Sequence, residues 1–217
     1  MVEQQAPHDG ICIVLGAMPI TAEDADEIRA VENQLLICAD AGYEVAVANG
    51  LIPTMTIGDL DSFSSLPERF LGVLQKHPVE KDDTDTMLAA KEGLARGYRQ
   101  FLFFGSLGGR LDHTYANIVT LRYLLDFGAT GWIVSKENRV TMLKNGSLTL
   151  GQDARYPHLS VFSYEATASG VVVDGGKYTP VSHSLYNNFP LGVSNSIVGQ
   201  TATVRVDDGI LLIILAR

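Results

Sequence analysis

Between residues 11 and 135, short apolar runs alternate with helix signals, and this alternation limits the fold more than any other feature. Residues 11–15, 35–39, 53–57, 100–104 and 130–135 read as strands. Runs that are apolar throughout, rather than at every second residue, belong to strands buried on both faces of a parallel sheet. Helices are predicted after Thr21, through Val45 and Ala48 to the stop signal Asn49-Gly50, and over 65–75, 84–96 and 111–127. Thr21 reads as an N-cap with Glu23 and Asp24 in a solvated first turn. Pro67 is tolerated in a first turn, and Gly97 lies just past a helix end. Met87, Leu88, Leu94 and Ala95 are expected on the apolar side of one helix, and Leu111, Tyr115, Ile118 and Val119 on that of the next. A short strand is expected near Pro78-Val79. Such alternation gives a mainly parallel sheet with helices on both faces.

The pattern changes at 136–139. Beyond it, Gly, Pro, Ser and Asn punctuate short β runs at 147–150, 159–164, 170–173, 202–206 and 210–215. Asp207-Asp208-Gly209 between the last two is a hairpin signal. The expected architecture is α/β then all-β: a mainly parallel α/β domain over 1–138 and a smaller β-sandwich over 139–217.

The formal net charge of -9 argues against DNA or RNA as the main partner, because phosphate backbones attract basic surfaces. Cys12 and Cys38 sit inside apolar runs, with no CxxC and no zinc spacing, and read as reduced core thiols. Residues 1–10 lack the apolar core of a signal peptide, and no apolar stretch is long enough to span a bilayer. A soluble, cytoplasmic protein is expected, with no nucleic-acid or membrane partner.

Acids collect where an open α/β sheet does its chemistry, at the carboxyl ends of its strands. Asp40 ends one run, and Asp59 and Asp61 follow another directly after Gly58. Asp82, Asp83 and Asp85 crowd beside Lys81. In extended backbone, residues two apart point to the same side. Asp59 and Asp61 can therefore grip one cation, while Gly58 lets the chain approach a phosphate. Three acids beside Lys81 exceed what a helix cap requires. Carboxylates gathered at one edge repel one another unless a cation joins them, and Mg²⁺ shared with substrate phosphates fits such hard donors. The chain reads as an enzyme of metal-assisted phosphate chemistry.

Residues 105–113 form a Gly-rich loop that opens a helix. Backbone N–H groups at a helix start suit phosphate oxygens, and Arg110 adds a forked cation. His113 and Asn117 are four apart and share one helix face. Asp112 reads as a helix-start acid on another side. The loop matches neither GxxxxGK[ST] nor GxGxxG. The other histidines carry no pattern, and Trp132, within a strand, reads as core.

Four motifs in this order, Ala39-Asp40-Ala41-Gly42, Gly58-Asp59-Leu60-Asp61-Ser62, Asp82-Asp83-Thr84-Asp85 and Gly108-Gly109-Arg110-Leu111-Asp112-His113, resemble those of the thiamine pyrophosphokinase family. Downstream, Gly192-Val193-Ser194-Asn195 is similar to the Ser-Asn segment of that family's thiamine-binding domain. The resemblance implies transfer of a pyrophosphoryl group from ATP to the hydroxyl of thiamine, with Mg²⁺ required. It implies a homodimer with active sites formed between subunits. It further implies that Asp59, Asp61 and Asp85 are catalytic and hold the metal. Asp40, Lys81, Asp82, Arg110, His113 and Asn117 are implied to contact ATP, and Ser194 and Asn195 thiamine. The hydroxyl proton is left to Asp59, Asp61 or Asp85.

The chain departs from the family pattern at Ala41, where Gly is usual, and at Glu44, where Asn is usual. It also ends without the tryptophan of some members. Alternatives are a pyrophosphokinase for another small alcohol such as a hydroxymethylpterin, a non-catalytic thiamine or nucleotide sensor, and a Mg²⁺-dependent nucleotide hydrolase.

Overall fold

The continuous apolar runs form a parallel sheet in the computed structural model, which describes residues 8–58, 72–76, 83–178 and 183–217. The chain divides into two units, Met1–Lys136 and Glu137–Arg217. The first contains, in chain order, β1 (His8–Leu15), α1 (Ala22–Ala30), β2 (Leu35–Ala39), α2 (Gly42–Ala48), β3 (Met55–Gly58), β4 (Val73–Lys76), α3 (Asp85–Ala95), β5 (Tyr98–Phe104), α4 (Leu111–Asp126) and β6 (Thr130–Val134). Its strand order is β6-β5-β1-β2-β3-β4, with every pairing parallel. The chain lays β1 to β4 in one direction and then returns to place β5 on the other side of β1. The order therefore reverses between β1 and β5, and ligands of open α/β sheets bind at such a reversal.

Strand parity explains how the sheet is covered on both faces. Ile13 and Leu15 of β1 pack in one cluster with Ile28 of α1, Tyr43 and Ala46 of α2, and Phe104. Trp132 packs against the edge of this cluster. Cys12 points the opposite way, toward α3, where a Cβ on Gly93 would lie 2.7 Å from its sulfur and 2.6 Å from Phe101. Burial pushes the Cys38 thiol up to about 12 and that of Cys12 higher still, so both are inert core groups.

Several local expectations are corrected. The buried residues of α3 are Ala89, Ala90 and Gly93, while Ala95 is exposed. Small residues win this face because they let the helix lie close to Cys12 and Phe101. In α4 the buried residues are Asn117, Thr120, Leu121 and Leu124, and Leu111 and Tyr115 point outward. Asp24 is buried rather than solvated: it closes a capping box with Thr21. The end of the helix expected over 65–75 is instead strand β4, whose backbone pairs with β3 in register from Met55 opposite Val73. Residues 65–71 and Pro78-Val79 lie outside the described residues.

The second unit contains β7 (Asn138–Gly151), β8 (His158–Ser163), β9 (Thr167–Asp174), β10 (His183–Tyr186) and β11 (Thr201–Ala216), all paired antiparallel. The hairpin expected at Asp207-Asp208-Gly209 is absent, because β11 runs through it. The register against β7 shifts between Val206 and Ile210. Buried residues switch there from Ala202, Val204 and Val206 to Leu211, Ile213 and Leu215. A bulge changes parity in this way and bends its strand. On its other edge β11 pairs with β9 before the bulge and with β8 after it. Gly209, at φ 115, supplies the bend where a Cβ would press on Ala168.

Candidate active site

A cleft of about 390 Å³ opens at the carboxyl ends of β1, β2 and β5, where the strand order reverses. Its walls come from Gly16 to Met18 after β1, Asp40 after β2, Thr84 to Thr86 at the start of α3, and the loop into α4. The loop after β1 is locked to the end of β5: the Gly16 N–H donates to the Phe104 carbonyl at 2.8 Å and that of Met18 to the Gly105 carbonyl at 3.0 Å. Gly105 sits at φ 61, and a Cβ there would meet the Gly16 carbonyl oxygen at 2.6 Å. Only glycine permits this approach.

Asp40 is held in the left-handed region, at φ 49, by two backbone bonds. Its N–H donates to the Ile57 carbonyl at 2.8 Å, and its carbonyl accepts from the Tyr43 N–H at 3.1 Å. Its Oδ1 is buried and has no hydrogen-bond partner among the described residues. An acceptor buried without a donor costs about 1–3 kcal/mol. A left-handed non-glycine residue adds roughly 1–2 kcal/mol. Strain kept at a sheet's carboxyl edge points to function. Asp40→Gly is accordingly expected to raise stability by about 1–2 kcal/mol, after the chain-entropy cost of glycine. A denaturant midpoint that falls would contradict this.

Asp85 opens α3 and lines the cleft, beneath the Thr84 cap that accepts from the Met87 N–H at 3.2 Å. Asp83 is turned to Lys91, which donates to it at 2.7 Å. Arg110, His113 and Asn117 all line the cleft. Asn117 is buried and donates to the Ser106 carbonyl at 2.8 Å, bracing the Gly-rich loop. Thr114 braces it again, accepting from the Gly108 N–H at 3.2 Å. Arg110 is exposed and makes a forked pair with Asp112, at 2.6 and 3.2 Å, which holds the Asp112 carboxyl below its ordinary range. The pair is a reserve for an anion, since an exposed ion pair holds its partner weakly. Asp59, Asp61, Lys81 and Asp82 lie outside the described residues. Gly58, which precedes Asp59, lies against Asp40: a Cβ there would be 3.0 Å from the Asp40 Cα.

Sequence reasoning missed Gly16, Met18, Thr86 and Ser106 as walls of the cleft. Gly16 could have been found, because it follows a buried strand as Asp40 does. No local signal marks Met18, which reaches the Gly108-Gly109 turn only through the fold.

In the second unit Ser194 is exposed and left-handed at φ 60, and its N–H donates to Ser160 Oγ at 3.1 Å. Asn195 is buried and bridges to Leu159 through both backbone groups. Its side chain binds backbone: Oδ1 accepts from the N–H groups of Tyr178 and Ser196, and Nδ2 donates to the Tyr178 carbonyl at 2.7 Å. Beside it lies an apolar cavity of about 510 Å³, lined by Val161, Val171, Val173 and Leu185 among others.

Residues 29–131, which hold most of the cleft, match the family model described as thiamin pyrophosphokinase, catalytic domain. The chain is 26% identical over 187 residues to the thiamine pyrophosphokinase of Bacillus subtilis, covering 84% of this chain and 87% of that protein. The chain belongs to the thiamine pyrophosphokinase family. The crystal structure of the thiamin pyrophosphokinase from Geobacillus thermodenitrificans superposes on it with a TM-score of 0.83 at 27% identity, over 95% of this chain and 97% of that one. The fold extends to the thiamin pyrophosphokinase from Candida albicans, with a TM-score of 0.77 at 17% identity over 96% and 89% of the two chains. Within this pyrophosphokinase fold the departure at Ala41 is harmless. Ala41 is right-handed at φ -59, so the position has no need of glycine. The next residue does: a Cβ on Gly42 would collide with the Leu15 carbonyl. No helix among the described residues is long and apolar enough to cross a membrane.

Proposed function

We propose that the chain transfers the pyrophosphoryl group of ATP to the hydroxyl of thiamine, giving thiamine diphosphate and AMP. The observation that carries this reading is the match of residues 29–131 to the thiamin pyrophosphokinase catalytic domain, over the stretch that holds every acid of the four motifs. In this reading ATP takes the cleft at the strand reversal. The loop of residues 105–109 and the start of α4 present N–H groups to its phosphates. Arg110 exchanges Asp112 for a phosphate, and Lys81, Asp82 and His113 complete the contacts. Asn117 keeps the loop rigid by holding the Ser106 carbonyl.

The donor set fits Mg²⁺, which takes hard oxygens: Asp85 lines the cleft beside the unpartnered buried Oδ1 of Asp40. Asp59, Asp61 and Asp85 would hold the ion, with Asp40 close by. When bound, it supplies neutralisation of the charge on the transferring phosphates. The hydroxyl oxygen of thiamine attacks the β-phosphorus, the bond from that phosphorus to the α,β-bridging oxygen breaks, and AMP leaves with that oxygen. One carboxylate of Asp59, Asp61 and Asp85 takes the hydroxyl proton. Alignment and charge stabilisation supply the rate, since this transfer asks little covalent work of the protein. Thiamine binds by Ser194 and Asn195, and a homodimer completes each site across subunits.

An end-point assay with ATP, Mg²⁺ and thiamine tests the reading. AMP and thiamine diphosphate in equal amounts are expected. ADP with thiamine monophosphate would make it an ordinary kinase, and ATP turnover indifferent to thiamine would make it a hydrolase.

A further inference from the structure

The cavity of the second unit carries an aromatic ring that no sequence motif marks. Tyr178 lines it while 61% of the residue stays exposed. The backbone of Tyr178 is clamped on both sides by the buried amide of Asn195, at 3.0 Å to its N–H and 2.7 Å to its carbonyl. The neighbouring Lys177 N–H adds a bond to the Ser196 carbonyl at 2.8 Å. With the backbone fixed, the ring has only two side-chain torsions to lose on binding, so it offers a broad contact at low entropic cost. The Lys177 ammonium lies 5.4 Å from the ring centroid, within the range where a cation is drawn to an aromatic face. An apolar wall of Val161, Val171, Val173 and Leu185 lies beside this face. That combination suits a flat heteroaromatic cation and offers little to a sugar or a free phosphate.

We propose that Tyr178 is the residue that selects the cationic ring of the acceptor, that Asn195 is a positioning residue acting through the Tyr178 backbone, and that Lys177 competes with the acceptor for the same ring face. The inference rests on the reading of thiamine as acceptor, whose thiazolium carries the charge, and supplies an aromatic contact in a chain that lacks the C-terminal tryptophan.

The test compares the full-length protein with Tyr178→Leu, Tyr178→Phe and Lys177→Met, reading KM for thiamine and for ATP, and thiamine Kd by titration calorimetry. Loss of a desolvated cation–π contact should raise the thiamine KM of Tyr178→Leu about 5- to 30-fold, while Tyr178→Phe stays close to the parent. Removing the competing ammonium should lower the thiamine KM of Lys177→Met about two- to fivefold. The KM for ATP should not move in any of them. A neutral thiophene isostere of thiamine should bind parent and Tyr178→Leu alike, which a merely structural role for the ring would not produce. An unchanged thiamine KM in Tyr178→Leu, or a raised one in Lys177→Met, overturns the inference. Should Tyr178→Leu fail to fold, the direction of the Lys177→Met change decides alone. Thiamine bound but not diphosphorylated by the parent would sink the proposed reaction and leave the ring contact standing; no thiamine binding would sink both.

Discussion

Asp59→Asn, Asp61→Asn and Asp85→Asn each produce a folded protein whose turnover has fallen on the order of 10²–10³-fold or more. Asparagine keeps the shape of the side chain and removes its charge, so the change falls on cation binding and proton transfer rather than packing. Asp85 lines the cleft at the first turn of α3. Asp59 follows Gly58, whose backbone lies against the strained Asp40. The measurement is kcat at saturating ATP and thiamine, beside a thermal melt. Parent-like turnover in Asp59→Asn or Asp61→Asn would remove the acid pair from the mechanism. A melt lowered by more than the few degrees that one or two kcal/mol represents would mean that the loss is structural.

Gly42→Ala is expected to cost about 3 kcal/mol or more, the upper end of overpacking, because the added methyl meets backbone that cannot step aside. The atom in its way is the Leu15 carbonyl oxygen, at the end of a strand paired on both edges. For a chain of this length the loss lowers the melting temperature of the first unit by roughly 6–12 °C. The neighbouring Ala41→Gly, at a right-handed residue, changes stability by about 1 kcal/mol at most. Paired melts of the two variants check the argument. Equal effects would mean that α2 does not sit against the end of β1 as closely as Gly42 requires.

This contrast shows how legible the chain was. The four motifs and the βα alternation stood in the sequence because each is local: a buried parallel strand is apolar throughout, and a strand end followed by Gly and Asp is a short string. Helix faces were less legible. Leu111 and Tyr115 have helical spacing yet face outward, while Ala89, Ala90 and Gly93 face the sheet. Periodicity reports hydrophobicity, whereas close approach to Cys12 and Phe101 selects size. Asp207-Asp208-Gly209 has the composition of a hairpin and serves as a bulge, because β11 already has partners on both edges.

By itself, the sequence determined the class of each half, the order of the motifs and the family they resemble, since strand and helix patterns and short acid-bearing strings need only near neighbours. Tertiary structure alone decided that the strand order reverses between β1 and β5, that Oδ1 of Asp40 is buried without a partner, and that the Asn195 amide clamps Tyr178. Each of these joins residues far apart in the chain, and such contacts depend on which strands become neighbours. That choice is made by packing the whole core and leaves no local trace.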